Sequence, residues 1–139
     1  MSGEKAQRKV VVVDDDPVAL ETASHLLRQA GFEVATYDKA YGRLSFIVRE
    51  QPDLVLLDVN MPLVPGDELC QLIREEGSLR ETPVVLFSSN DERTLREQVL
   101  ACGASGFITK SEMGFGLGQK VMRLMANGGR ARASLGQMS

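Results

Sequence analysis

Several things are scarce in this chain, and each scarcity excludes something. No stretch is apolar over the roughly 20 residues that a helix needs to cross a bilayer. The opening residues Met1–Lys9 are polar and do not read as an export signal. Basic residues form no run or stripe, and the net charge is −3, which argues against a general nucleic-acid surface. Cysteine is limited to Cys70 and Cys102, distant in sequence and flanking no ligand motif. They read as reduced residues of the core or its edge rather than a disulfide or metal pair. The lone histidine, His25, has no acidic or nucleophilic neighbour in any motif and reads as a surface residue. No internal repeat is visible, and nothing marks a second domain.

What remains is an ordinary globular composition, 43% apolar and 25% charged over 139 residues, enough for one domain with a real core. Its informative feature is a set of short apolar runs that end in reactive polar residues. Val10–Val13 ends in Asp14-Asp15-Asp16, Leu54–Leu57 in Asp58, Val84–Phe87 in Ser88-Ser89, and Phe107-Ile108-Thr109 in Lys110. Runs of this length read as strands buried on both faces, hence a parallel sheet covered by helices. Ligands of open α/β sheets bind beyond the carboxyl ends of the strands. Carboxylates, a hydroxyl and an ammonium would therefore meet in one crevice, an inventory suited to phosphoryl chemistry with a divalent cation.

The segments between these runs read as helices. Asp16-Pro17 is a strong helix start, and Leu20, Ala23, Leu27 and Ala30 follow at helical spacing before Gly31. Glu33–Tyr37 reads as an edge strand. A helix over Tyr41–Glu50 carries Leu44, Ile47 and Val48. Another over Asp67–Glu76 turns Leu69, Leu72 and Ile73 inward and ends at Gly77. A third, capped by Asn90-Asp91, runs to Cys102 with Leu95 and Val99 on its face. Leu117, Val121, Leu124 and Met125 suggest a last helix, although Gly114, Gly116 and Gly118 weaken its start. Residues 1–8 and 127–139 read as disordered ends around a folded unit over 9–126.

The chain resembles the receiver domain of bacterial two-component response regulators, most simply a single-domain, chemotaxis-type regulator. The residues that carry the likeness are the acidic cluster after the first strand and Asp58 within D-x-x-M-P-x-x-x-G (Asp58, Met61, Pro62, Gly66). Ser88, the Gly103-Ala104-Ser105-Gly106 stretch and Lys110 complete it. The resemblance implies a three-layer α/β sandwich, a five-stranded parallel sheet of flavodoxin-like order 2-1-3-4-5 flanked by about five helices. It also implies that Asp58 is the phosphoacceptor and that Mg²⁺ is held by Asp15, Asp58 and the Asn60 backbone carbonyl. Asp14 would act indirectly, through water or by orienting Asp15. Mg²⁺ suits such a site because it takes few carboxylates and keeps positions for waters and phosphate oxygens. Lys110 and the Ser88 hydroxyl would receive phosphoryl oxygens, and Phe107 would be the switch aromatic coupled to Ser88. Implied partners are a sensor histidine kinase or phosphotransfer protein as donor and a protein target downstream, in the cytoplasm. A phosphorylation-dependent homodimer is left open. Such a receiver catalyses its own modification and is not a turnover enzyme.

Two departures stand out. Proline usually follows the lysine in this family, often after a cis peptide; here the pair is Lys110-Ser111, for which a trans bond is expected. Lys110 is then less firmly placed, and the Gly-rich stretch before the last helix unsettles the surface where partners commonly dock. Asn60 and Asn90, two residues after Asp58 and Ser88, occupy positions that tune dephosphorylation. Plainer roles suit the remaining candidates: Asp16 as a helix cap, Ser89 and Thr109 as strand-end structure, Met61 as loop packing, Arg130 and Arg132 as solvated charge. Two rival functions are a haloacid-dehalogenase-type hydrolase, which needs a second Asp where Asn60 stands, and a receiver-fold interaction module that works without phosphorylation.

Overall fold

The computed structural model describes residues 7–61, 65–114 and 116–126. Strands β1 (Lys9–Val13), β2 (Glu33–Tyr37), β3 (Leu54–Asp58), β4 (Val84–Ser88) and β5 (Gly106–Thr109) form one parallel sheet. Their order is β2-β1-β3-β4-β5, as expected from the resemblance. Every residue of β3 and β4 is buried, which is why these segments are continuous apolar runs and not alternating ones. Successive side chains go to opposite faces and build two cores. Val11, Val13, Val55, Leu57 and Leu86 pack against α2 (Arg43–Glu50), α3 (Gly66–Glu75) and α4 (Glu92–Cys102). Val10, Val12, Leu54, Leu56 and Phe87 pack against α1 (Pro17–Gln29) and α5 (Leu117–Ala126).

Several local expectations change. Helix α2 begins at Arg43, because Gly42 before it is left-handed (φ 82°); the Tyr37 hydroxyl donates to the Tyr41 carbonyl, and Tyr41 stays exposed. Leu72 does not point inward: it is 42% exposed, and Cys70 takes its place in the core. The buried positions of α3 are Gly66, Leu69, Cys70 and Ile73, a stripe set by where the helix starts. That start is dictated by glycine, since a Cβ on Gly66 would lie 2.1 Å from the Asp58 carbonyl oxygen and 2.6 Å from Val59 Cα. A 3-10 turn over Gly77–Leu79, which buries Leu79, follows α3 where a simple stop was expected.

The glycines before α5 also act differently from expectation. Gly118 is buried inside the helix, and a Cβ there would stand 2.4 Å from that of Ala30. Its missing side chain lets α5 close onto the end of α1. Cys70 and Cys102, distant in sequence, are neighbours across α3 and α4: the Cys70 thiol donates to the Cys102 carbonyl at 3.5 Å, and both thiols are free. Pro62 and the tail with Arg130 and Arg132 lie outside the described residues. Among the described residues no helix is long and apolar enough to cross a membrane.

Candidate functional site

The crevice forms where β1, β3, β4 and β5 end side by side. Asp14 leaves β1 fully buried, while Asp15 beside it is exposed. The Asp16 backbone N–H donates to Asp14 Oδ1 at 2.9 Å, and Asp16 itself caps α1 by accepting from the Val18 N–H at 3.0 Å. Asp58, 3% exposed, ends the central strand and accepts from the Asn60 N–H at 3.1 Å. One carboxylate oxygen from each of Asp14, Asp15 and Asp58 lies within 4.8 Å of the others. Hard oxygen donors so close together suit a divalent cation, because unscreened they repel one another.

Lys110 reaches this cluster from the far side of β4. Its ammonium is 2.8 Å from Asp14 Oδ2 and 3.7 Å from Asp58 Oδ2, and lies 5.5 Å over the centroid of the Phe87 ring. The Lys110–Ser111 peptide is trans, as expected, and the lysine is nevertheless firmly placed. Burial pushes the Asp58 carboxyl up to about 6; the Asn60 N–H opposes this, and the charge of Asp14 adds to it. On Lys110, burial disfavours the charge, but the carboxylates of Asp14 and Asp58 outweigh it and hold the amine above its ordinary value.

Ser88 is fully buried at the end of β4. Its hydroxyl accepts from the Asn60 side-chain amide at 2.9 Å and from the Asn90 N–H at 3.0 Å, and the same Asn60 amide reaches Asn90 Oδ1 at 3.0 Å. Phe107 is half-buried on β5 against the α3–α4 core, with Arg96 at 5.9 Å over its ring. His25 and Ser89 are exposed, and Met61 is packed in the core, in keeping with their plainer readings. Thr109 does more than end a strand. With Glu112 it forms a reciprocal cap on a 3-10 turn, Lys110–Glu112. Glu112 was missed, although T-x-x-E is a capping-box pattern visible in the sequence. The contact of Phe87 with Lys110 left no such signal.

A family model described as "Response regulator receiver domain" matches residues 10–120. The chain belongs to that family. Among curated relatives of this receiver, protein PilG of Pseudomonas aeruginosa is 30% identical over 102 residues, covering 73% of this chain and 76% of PilG. Other curated relatives are longer, and the chain spans only 18% of one and 22% of another. Among solved structures, the chemotaxis response regulator CheY4 of Vibrio cholerae has a TM-score of 0.78 at 27% identity, covering 85% of this receiver and 98% of that chain. The receiver domain of the P. aeruginosa sensor histidine kinase PA1611, solved with magnesium coordinated in its active-site cleft, shares the fold at a TM-score of 0.74 and 21% identity, covering 88% and 97%. Receiver domains are signalling modules that work as phosphorylation-dependent switches.

Proposed function

We propose that the unit over residues 9–126 is a switch whose Asp58 accepts a phosphoryl group from a phosphohistidine on a sensor kinase or phosphotransfer protein. The observation that carries this reading is the burial of Asp58 at the tip of the central strand, with the Lys110 ammonium 3.7 Å from its Oδ2 and two further carboxylates beside it. An Asp58 oxygen forms the new P–O bond while the donor's P–N bond breaks, its electron pair staying with the imidazole nitrogen, which takes a proton. Lys110 and the Ser88 hydroxyl would donate to the equatorial oxygens, stabilising the charge that develops there. Asp15, Asp58 and the Asn60 backbone carbonyl would hold Mg²⁺, with Asp14 acting indirectly, through water or by orienting Asp15. Bound there, the ion neutralises phosphate and carboxylate charge.

Drawing the Ser88 hydroxyl to the phosphoryl group requires it to leave the Asn60 amide, and this frees space beside β4 for the Phe107 ring to turn inward. The rearranged α4–β5 surface is then what a protein target reads. The test is incubation with Mg²⁺ and acetyl phosphate, followed by intact-mass measurement. The wild-type chain should gain one phosphoryl group and Asp58→Asn none. No gain in either protein would instead favour an interaction module that works without phosphate.

A further inference from the structure

Lys110 must reach the phosphoryl site, yet the backbone that carries it is not followed by proline. Its placement comes from the turn itself. Glu112 Oε1 accepts from the Thr109 N–H at 3.1 Å and from the Thr109 hydroxyl at 2.9 Å, gripping the residue immediately before Lys110. The Ser111 hydroxyl lies 3.0 Å from the same Thr109 hydroxyl, and the Met113 N–H closes the turn on the Lys110 carbonyl at 3.1 Å. The other carboxylate oxygen, Oε2, accepts from the Lys120 ammonium at 3.1 Å, which anchors the clamp to α5. An exposed ion pair contributes little stability by itself. A carboxylate that satisfies two donors at a strand end fixes where the next side chain departs, and that is a matter of geometry.

We infer that Glu112 is a positioning residue for the phosphoryl-transfer reaction: by capping Thr109 it sets the point from which Lys110 extends to Asp14 and Asp58. This rests on the function proposed above. Displacing a charged group by about 1 Å at such a site can cost up to roughly a hundredfold in rate. The Lys110 side chain is largely buried, with its ammonium held between Asp14 and the Phe87 ring, so a misplaced root is only partly corrected at its tip.

The experiment follows phosphorylation of the full chain by acetyl phosphate and Mg²⁺ with time-resolved intact mass. Glu112→Ala should slow labelling about fivefold or more, with Mg²⁺ binding by calorimetry retained, because every proposed ligand is still present. Glu112→Gln keeps the acceptor oxygen for Thr109 and should label within about twofold of wild type. In a Lys110→Ala background, Glu112→Ala should slow labelling no further, since its effect passes through the lysine. Wild-type rates in Glu112→Ala, equal slowing by Ala and Gln, or a full additional loss in the Lys110→Ala background would each overturn the inference. Failure of the wild-type protein to label at all would strike the functional reading itself.

Discussion

Asp58 and Asp14 are acids held where water hardly reaches, with carboxylate oxygens within 4.8 Å of each other and the Lys110 ammonium against both. That arrangement is costly until a cation arrives, and its cost depends on pH. For Asp58 the folded value of about 6 stands above the ordinary 3.8. The folded protein therefore binds this proton more tightly than the unfolded chain. The contribution favours folding below about pH 4 and is lost as pH rises through 6, by up to about 3 kcal/mol. Asp58→Asn should accordingly raise the melting temperature at pH 7.5 in divalent-free buffer by up to about 6–12 °C. The gap should narrow as pH falls towards 4 and close with saturating Mg²⁺. Scanning calorimetry of both proteins across that range checks it. Mg²⁺ affinity of the wild type should fall below about pH 6, as protons compete for the same oxygens.

At the level of strands and helices, glycines set two junctions. Gly66→Ala would drive a methyl into the backbone of Asp58 and Val59. Rigid backbone cannot yield cheaply, so a loss of about 2 kcal/mol or more is expected in urea unfolding, with weakened Mg²⁺ binding as the tip of β3 shifts. Gly118→Ala meets the methyl of Ala30 and should cost about 1–3 kcal/mol. Here the obstacle is itself removable: Ala30→Gly in the same chain should recover part of the loss, which a double-mutant cycle measures. The contrast also shows what the sequence discloses. The glycine of the D-x-x-M-P-x-x-x-G pattern was readable as part of a motif. Gly118 looked like a defect in a helix, because its partner, Ala30, belongs to a distant helix. Leu72 misled for a similar reason: several apolar positions of α3 compete for the core, and the choice among them is made at Gly66, by contact with another element. The strand ends were legible because polar residues closing buried apolar runs need no tertiary information. The Glu112 clamp was legible in principle as a local pattern, whereas the contact of Asp14 with Lys110 depends on sheet order, which here came from resemblance.

Taken whole, the molecule is a sheet with two separate cores, and its central strands carry most of the burial. Leu56 is fully buried in the core shared with α1 and α5. Leu56→Ala should cost about 2–5 kcal/mol in denaturant unfolding, more than any single surface change. Because Leu56 faces away from α3 and α4, the surface around Phe107 should keep its packing, which chemical-shift mapping of the variant can verify. The cavity is expected to loosen α1 and α5 first. Cys70 and Cys102 belong to the opposite core, so their protection from thiol reagents should persist in this variant.

The central position of β3 has one more consequence. Strands flank it on both sides, with Val55, Leu56 and Leu57 paired to both β1 and β4, and all five of its residues are buried. Any group attached at Asp58 is mounted on the least yielding part of the protein. A change made there would leave the framework closed, so the response would have to be borne by the rim loops and the helices that follow them.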